Sequence, residues 1–75
     1  MMGRENLKNA RKKTGMTQKQ VANYLRIDIR HYKAMESGER LGSIDLWDSL
    51  EDLFNVHQRI LREISKIHPD KGDNQ

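Results

Sequence analysis

The stretch Gly15-Met16-Thr17-Gln18-Lys19-Gln20-Val21-Ala22-Asn23-Tyr24-Leu25-Arg26-Ile27-Asp28-Ile29-Arg30-His31-Tyr32-Lys33-Ala34-Met35-Glu36-Ser37-Gly38 reads as two short helices joined by a tight turn. Thr17 with Gln20 three positions on forms a capping box, in which each side chain satisfies a backbone N–H that the first helical turn leaves unpaired. Val21, Ala22 and Leu25 then recur at the spacing of one buried helical face. After Arg26-Ile27, Asp28 offers the short carboxylate of an N-cap, and the next helix is predicted over Ile29 to Ser37 with Tyr32 and Met35 at core spacing. Gly38 ends it, because glycine takes left-handed backbone without steric cost. Arg26 sits in the turn, where it must accept a left-handed conformation at about 1 kcal/mol or reshape the chain.

Upstream, Glu5 to Lys13 is predicted as a first helix with Leu7, Ala10 and Arg11 on one side, closed by Thr14-Gly15. Downstream, Ser43 is an N-cap, and Asp45 complements the dipole of a fourth helix whose Ile44, Trp47, Leu50 and Phe54 should face the core. Asn55 is its left-handed stop. A fifth helix is expected from Gln58 to Ile67, presenting Ile60, Leu61, Ile64 and Ile67 before Pro69 halts it. No strand pattern or internal repeat is visible. The expected fold is all-α, a compact five-helix bundle forming one domain over residues 1–67, with a disordered polar tail over 68–75.

The chain has 75 residues, 14 Lys plus Arg, 11 Asp plus Glu, and no cysteine. That length excludes a two-domain sensor, and the lack of cysteine excludes disulfides and a Cys-ligated zinc site. No apolar run approaches the roughly 18 residues of a membrane span, and no secretion signal opens the chain, so a cytoplasmic location without membrane attachment is expected. Charge is lopsided: residues 1–40 hold ten basic and four acidic side chains, a net +6, while residues 41–75 hold four and seven, a net −3. A basic half suggests a surface for a polyanion.

Catalysis and cofactors are not expected. His31, His57 and His68 lack the spacing of a metal site, and a bundle this small leaves little room for a cleft. His68-Pro69-Asp70 is similar to the tripeptide of J-domain co-chaperones but has no helix after it, and a proline helix stop explains it better.

Leu7, Arg11, Gly15-Met16-Thr17-Gln18, Val21-Ala22, Leu25, Ile27, Tyr32, Met35-Glu36 and Gly38, continued by Ser43-Ile44, Trp47, Leu50 and Phe54-Asn55-Val56, resemble the lambda repressor and Cro-like (XRE) family of helix-turn-helix domains. The resemblance covers about residues 5 to 65 by the family's five-helix plan. It implies a sequence-specific double-stranded DNA-binding transcriptional regulator, a repressor, whose third helix enters the major groove. By helical spacing, the residues of that helix not used for the core are Ile29, Arg30, Lys33, Ala34 and Ser37, the candidate base contacts. Arg30 suits guanine as a fork, Ile29 and Ala34 suit a thymine methyl, and Lys33 serves a base or a phosphate. His31 lies at the edge of the face and reads as solvated surface.

Thr17, Gln18, Lys19, Arg26 and Arg40 are the candidate phosphate contacts. Gln18 matches the family's glutamine at the start of the second helix, while Lys8, Lys12 and Lys13 read as solvation of the first. The resemblance also implies a salt bridge between Arg11 and Glu36, which either orients the third helix or simply holds the fold. Asp28 caps well but sets a carboxylate near the DNA backbone.

The implied partner is a palindromic operator, bound by a homodimer whose recognition helices lie about 34 Å apart. Without a separate oligomerisation or effector region, dimerisation would use helices four and five, and control would come from protein level, proteolysis or a partner. Leu46 and Leu53 either pack under the fifth helix or join Ile60, Ile64 and Ile67 in an exposed strip for a dimer or partner protein. The alternative function is therefore a protein-interaction module, antitoxin-like or an anti-repressor partner. Small stand-alone relatives are bacterial or phage proteins, nucleoid-associated when bound to DNA.

Overall fold

The computed structural model of the chain describes residues 2–66. It contains, in order, β1 (Met2–Gly3), α1 (Glu5–Lys13), α2 (Gln18–Leu25), α3 (Ile29–Ser37), α4 (Ile44–Phe54), α5 (Gln58–Arg62) and β2 (Ser65–Lys66). The fold is all-α, with five helices among the described residues. Local side-chain caps open α2, α3 and α4. The Thr17 hydroxyl accepts the Gln20 N–H at 3.1 Å while Gln20 Oε1 accepts the Thr17 N–H at 2.8 Å, completing the capping box. Asp28 caps α3 and Ser43 caps α4, each accepting a first-turn N–H. Gly38 (φ +90°) and Asn55 (φ +55°) end α3 and α4 in left-handed backbone.

The core lies where α1, α2, α3, α4 and α5 converge. Leu7, Val21, Tyr32, Met35, Trp47, Leu50 and Leu61 are fully buried there. The Trp47 indole N–H donates to Leu41 O at 2.6 Å, so its one polar atom is satisfied. Each such large side chain contributes roughly 1.5–3 kcal/mol of burial, yet a chain this short has few of them, which gives weight to its long-range polar ties.

Three expectations are corrected. The fifth helix does not run to Ile67: it ends at Arg62, and Glu63 turns extended with φ −59° and ψ 131°. The end of α5 is tied to the start of the chain, Arg62 O accepting from Arg4 Nε at 2.9 Å and Ile60 O from Asn6 Nδ2 at 3.2 Å as well as from the Glu63 N–H at 3.3 Å. Ile67 and the expected tail 68–75 lie outside the described residues.

The second correction is the strand pair. β1 and β2 are antiparallel, with Met2 opposite Lys66 and Gly3 opposite Ser65. Its two-residue length explains why no alternating pattern announced it. Gly3 packs close to α3: a Cβ there would stand 3.2 Å from Glu36 O, so a larger residue would press the strand off the end of that helix by a few tenths of an ångström.

The third is Ile44, which is 70% exposed instead of buried. At 3.6 residues per turn, Trp47, Leu50 and Phe54 centre the inward face of α4, leaving Ile44 about 90° away, at the flank of that face and in the first turn of the helix. Leu46 and Leu53 fall on the flank of that face and pack against the core.

Candidate nucleic-acid interface

The turn between α2 and α3 is built around Arg26, which takes the left-handed conformation outright (φ 61°, ψ 42°). The Arg26 N–H reaches Asn23 O at 3.1 Å and the Ile27 N–H reaches Ala22 O at 3.0 Å, satisfying carbonyls that the helix end leaves free. Asp28 Oδ1 then accepts the Arg30 N–H at 2.7 Å. The same oxygen stands 3.6 Å from Arg30 Nε, an ion pair between groups 63% and 91% exposed that solvent screens heavily. Arg30 thus leaves α3 from its first turn into water.

On α3, Tyr32, Met35 and Glu36 point inward, and Arg30, Lys33 and Ser37 are exposed with Ala34 half-buried between them. Ile29 is the member of the expected outward face that lies differently, being half-buried and packed against the core. The cause is its place one turn before Tyr32 and Lys33 on the side shared with Glu36, which α2 partly covers.

Two concavities flank this ridge. One brings Lys33 and Ser37 of α3 together with Gln18 of α2, Lys8 of α1 and Glu36. The other is lined by Asp28, Arg30, His31 and Arg40. Thr17, Lys19 and Arg26 are exposed around the ends of α2, without a further side-chain partner beyond the Thr17 cap. Lys8, read from sequence as solvation, shares a concavity with Gln18 and Lys33, and only the packing of α1 across α3 reveals this.

Behind the ridge stands Glu36, 8% exposed and surrounded by donors. Arg11 Nε donates to Oε2 at 2.6 Å, with Nη2 3.5 Å from Oε1. The Tyr32 hydroxyl donates to Oε2 at 2.6 Å, and Gln18 Nε2 donates to Oε1 at 3.0 Å. One carboxylate therefore joins α1, α2 and α3. Its hydrogen bond holds the Arg11 guanidinium above its ordinary pKa, and burial, then Glu36, push the Tyr32 phenol up. An amide nitrogen has two hydrogens, so with one given to Glu36 the other Gln18 N–H remains for an acceptor outside.

Sequence reasoning missed Arg4 entirely. It is 4% exposed, and its acceptors are backbone carbonyls: Nη1 donates to Met35 O at 2.6 Å and Arg40 O at 2.9 Å, and Nε to Arg62 O at 2.9 Å. The guanidinium lies 5.4 Å from the Trp47 ring centroid. Its own N–H donates to Glu36 O at 2.7 Å. Burial, then Arg62, lower its pKa, but a guanidinium keeps its charge. A cation at the last-turn carbonyls of α3 complements that helix's dipole and ties it to α5.

The apolar strip is dispersed. Leu46 and Leu53 pack on the core, Ile60 is 49% exposed and shares a concavity with Val56, Ala10 and Asn6, and Ile64 lines another with Ser37, Gly38 and Glu39. Among the described residues no group of three or more His, Asp or Glu is placed to hold a metal ion, and no helix is long and apolar enough to cross a membrane.

A helix that crosses in front of a second, outward-facing helix, joined to it by a tight left-handed turn, defines a helix-turn-helix domain. The helix-turn-helix family model matches residues 7–57, well over half the chain, and the protein belongs to that lambda repressor-like (XRE) family of DNA-binding regulators. No curated protein and no solved structure matches the chain significantly.

Proposed function

We propose that this protein is a sequence-specific transcriptional regulator that acts as a repressor, with α3 in the major groove of a palindromic operator and two copies on the DNA. The observation that supports it best is the ridge of exposed Arg30, Lys33 and Ser37 around half-buried Ala34, with Arg30 and Arg40 in the concavity on one side and Lys8, Lys33 and Gln18, together with Glu5 and Glu36, in that on the other. A ridge of that kind meets base edges, and its flanks meet the phosphates that wall the groove. Arg30 reads guanine, Ala34 contacts a thymine methyl, and Lys33 and Ser37 complete the base-facing set; Ile29 contributes only its exposed edge. Thr17, Gln18, Lys19, Arg26 and Arg40 contact phosphates. Glu36 orients Gln18 for that contact while Arg11 holds Glu36. Repression follows from occlusion of a promoter, and the protein carries out no catalysis of its own.

Selection of bound duplexes from a random library at physiological salt tests this reading. Enrichment of two half-sites one helical turn apart is the expected result, with affinity lost in Arg30→Ala and Gln18→Ala. Binding that enriches no sequence and is unchanged in both variants would overturn it and turn attention to a protein partner for α4 and α5.

A further inference from the structure

We propose that His31 and Arg40 form a phosphate-binding position on the outer flank of α3, through which DNA affinity rises as the imidazole takes up a proton. The inference rests on the DNA-binding reading above, in which Arg40 already meets a phosphate, and adds His31, which the sequence assigned to solvated surface, and a regulation.

The observations are geometric. The concavity of about 300 Å³ beside α3 is lined by Asp28, Arg30, His31 and Arg40. It lies on the flank of the helix away from Gln18, Lys8 and Lys33, which line the other concavity. His31 is half-buried, and its N–H is tied to Asp28 O at 3.0 Å, so the imidazole starts from a fixed point in the first turn. Arg40 starts from an equally fixed point: its N–H donates to Ala34 O at 3.2 Å and its carbonyl accepts from Arg4 Nη1 at 2.9 Å. The loop after α3 thus folds back and brings Arg40 to the same concavity as His31, nine positions earlier.

The chemistry of the four lining groups points to an anion. The charged and titratable groups facing the imidazole are Arg30 on its own helix, Asp28 at the cap, and Arg40 from the loop. Asp28 is engaged with Arg30, whose N–H and Nε both address its Oδ1. Asp28 stays on the Arg30 backbone N–H at the cap when the Arg30 side chain turns toward a base edge, so this one carboxylate faces Arg40 and His31, and a protonated His31 beside Arg40 leaves the concavity net positive toward a phosphate. Histidine is the side chain whose charge ordinarily changes between about pH 5 and 8. A phosphate favours the charged imidazole, so binding and proton uptake are linked: the extra affinity is present at low pH and is lost as pH rises.

The test is fluorescence anisotropy of the full chain with a labelled mixed-sequence duplex of about 20 base pairs at about pH 6 and about pH 8, each over a salt series. The wild-type protein is expected to bind about three- to tenfold tighter at the lower pH, with little change in salt slope, because His31 and Arg40 share one phosphate. His31→Gln should abolish this difference between the two pH values. Arg40→Gln should lower the slope by about 0.9 at both pH values. His57→Gln should keep the wild-type pH response, because His57 caps α5 by accepting the Arg59 N–H and lines neither concavity. Circular dichroism verifies that each variant is folded. A pH response that persists in His31→Gln, or wild-type binding with no pH response, overturns the inference alone. Absence of duplex binding at either pH overturns the DNA-binding reading and the inference with it.

Discussion

Tyr32 donates its phenolic proton to Glu36 Oε2 at 2.6 Å, one turn along the same helix. Both groups are buried. The bond therefore acts within α3 and, through the other donors on the carboxylate, on the angle at which α1 and α2 hold it.

Tyr32→Phe keeps the ring and removes the donor. A hydrogen bond to a charged group contributes about 1.5–3 kcal/mol, which is the expected loss in urea unfolding at neutral pH. The phenol is pushed up in the folded protein, so its contribution is fully present below the ordinary tyrosine value of about 10 and is lost as pH rises toward the higher folded value. The wild-type protein should thus lose stability above about pH 10 by a route Tyr32→Phe lacks, and the gap between the two should narrow there. A constant gap would contradict this account.

Arg11→Met should cost more than the loss of a surface ion pair. Its partner would remain as a buried carboxylate with only Tyr32 and Gln18 donating to it, and breaking such a pair costs about 3–5 kcal/mol. Arg11 also donates to Met16 O at 3.0 Å, so the entry to α2 should loosen, visible as faster amide exchange over 14–18. A loss below about 1 kcal/mol would class the pair with exposed ones.

At Arg4 the prediction concerns shape as well as charge. Lysine has one ammonium and cannot span Met35 O, Arg40 O and Arg62 O with the planar fork the guanidinium uses. Arg4→Lys should therefore destabilise nearly as much as Arg4→Ala, by about 2–4 kcal/mol. Trp47, the one tryptophan, reports the change, since its emission should shift to the red once the guanidinium no longer covers the ring. A lysine variant as stable as the wild type would show that charge alone suffices.

Arg26→Gly separates folding from binding. Relief of a left-handed non-glycine residue should stabilise the domain by up to about 1 kcal/mol, measured as a higher urea midpoint. If Arg26 contacts a phosphate, the same variant should bind duplex DNA more weakly, with a salt slope lower by about 0.9. Greater stability with unchanged DNA affinity would remove Arg26 from the phosphate contacts.

The boundaries of α1, α2, α3 and α4 were legible because what sets them is local. A capping box, an aspartate before a helix, and a left-handed stop each act over four residues or fewer, and apolar spacing adds the inward face. The helix-turn-helix character followed, because both helices and the turn between them fall within 24 consecutive residues, Gly15 to Gly38. The outward set on α3 was legible in the same way, except for Ile29 at its margin.

What the tertiary structure decided has longer reach. Arg4 bonds across 31, 36 and 58 positions, and no local pattern marks an arginine for such a place. One of these bonds, to Arg62 O, ties the last residue of α5 to the start of the chain where Glu63 turns extended. Periodicity placed Ile44 inward, but a helix's inward direction is set by what packs on it, and here Trp47, Leu50 and Phe54 turned it elsewhere. Lys8 joined Gln18, and Arg40 joined His31, only once α1 and the loop after α3 were folded over the same helix. Local bonding energies write the helices into the sequence, whereas the partners that gather around Glu36, Arg4 and His31 depend on a topology that no short window of residues contains.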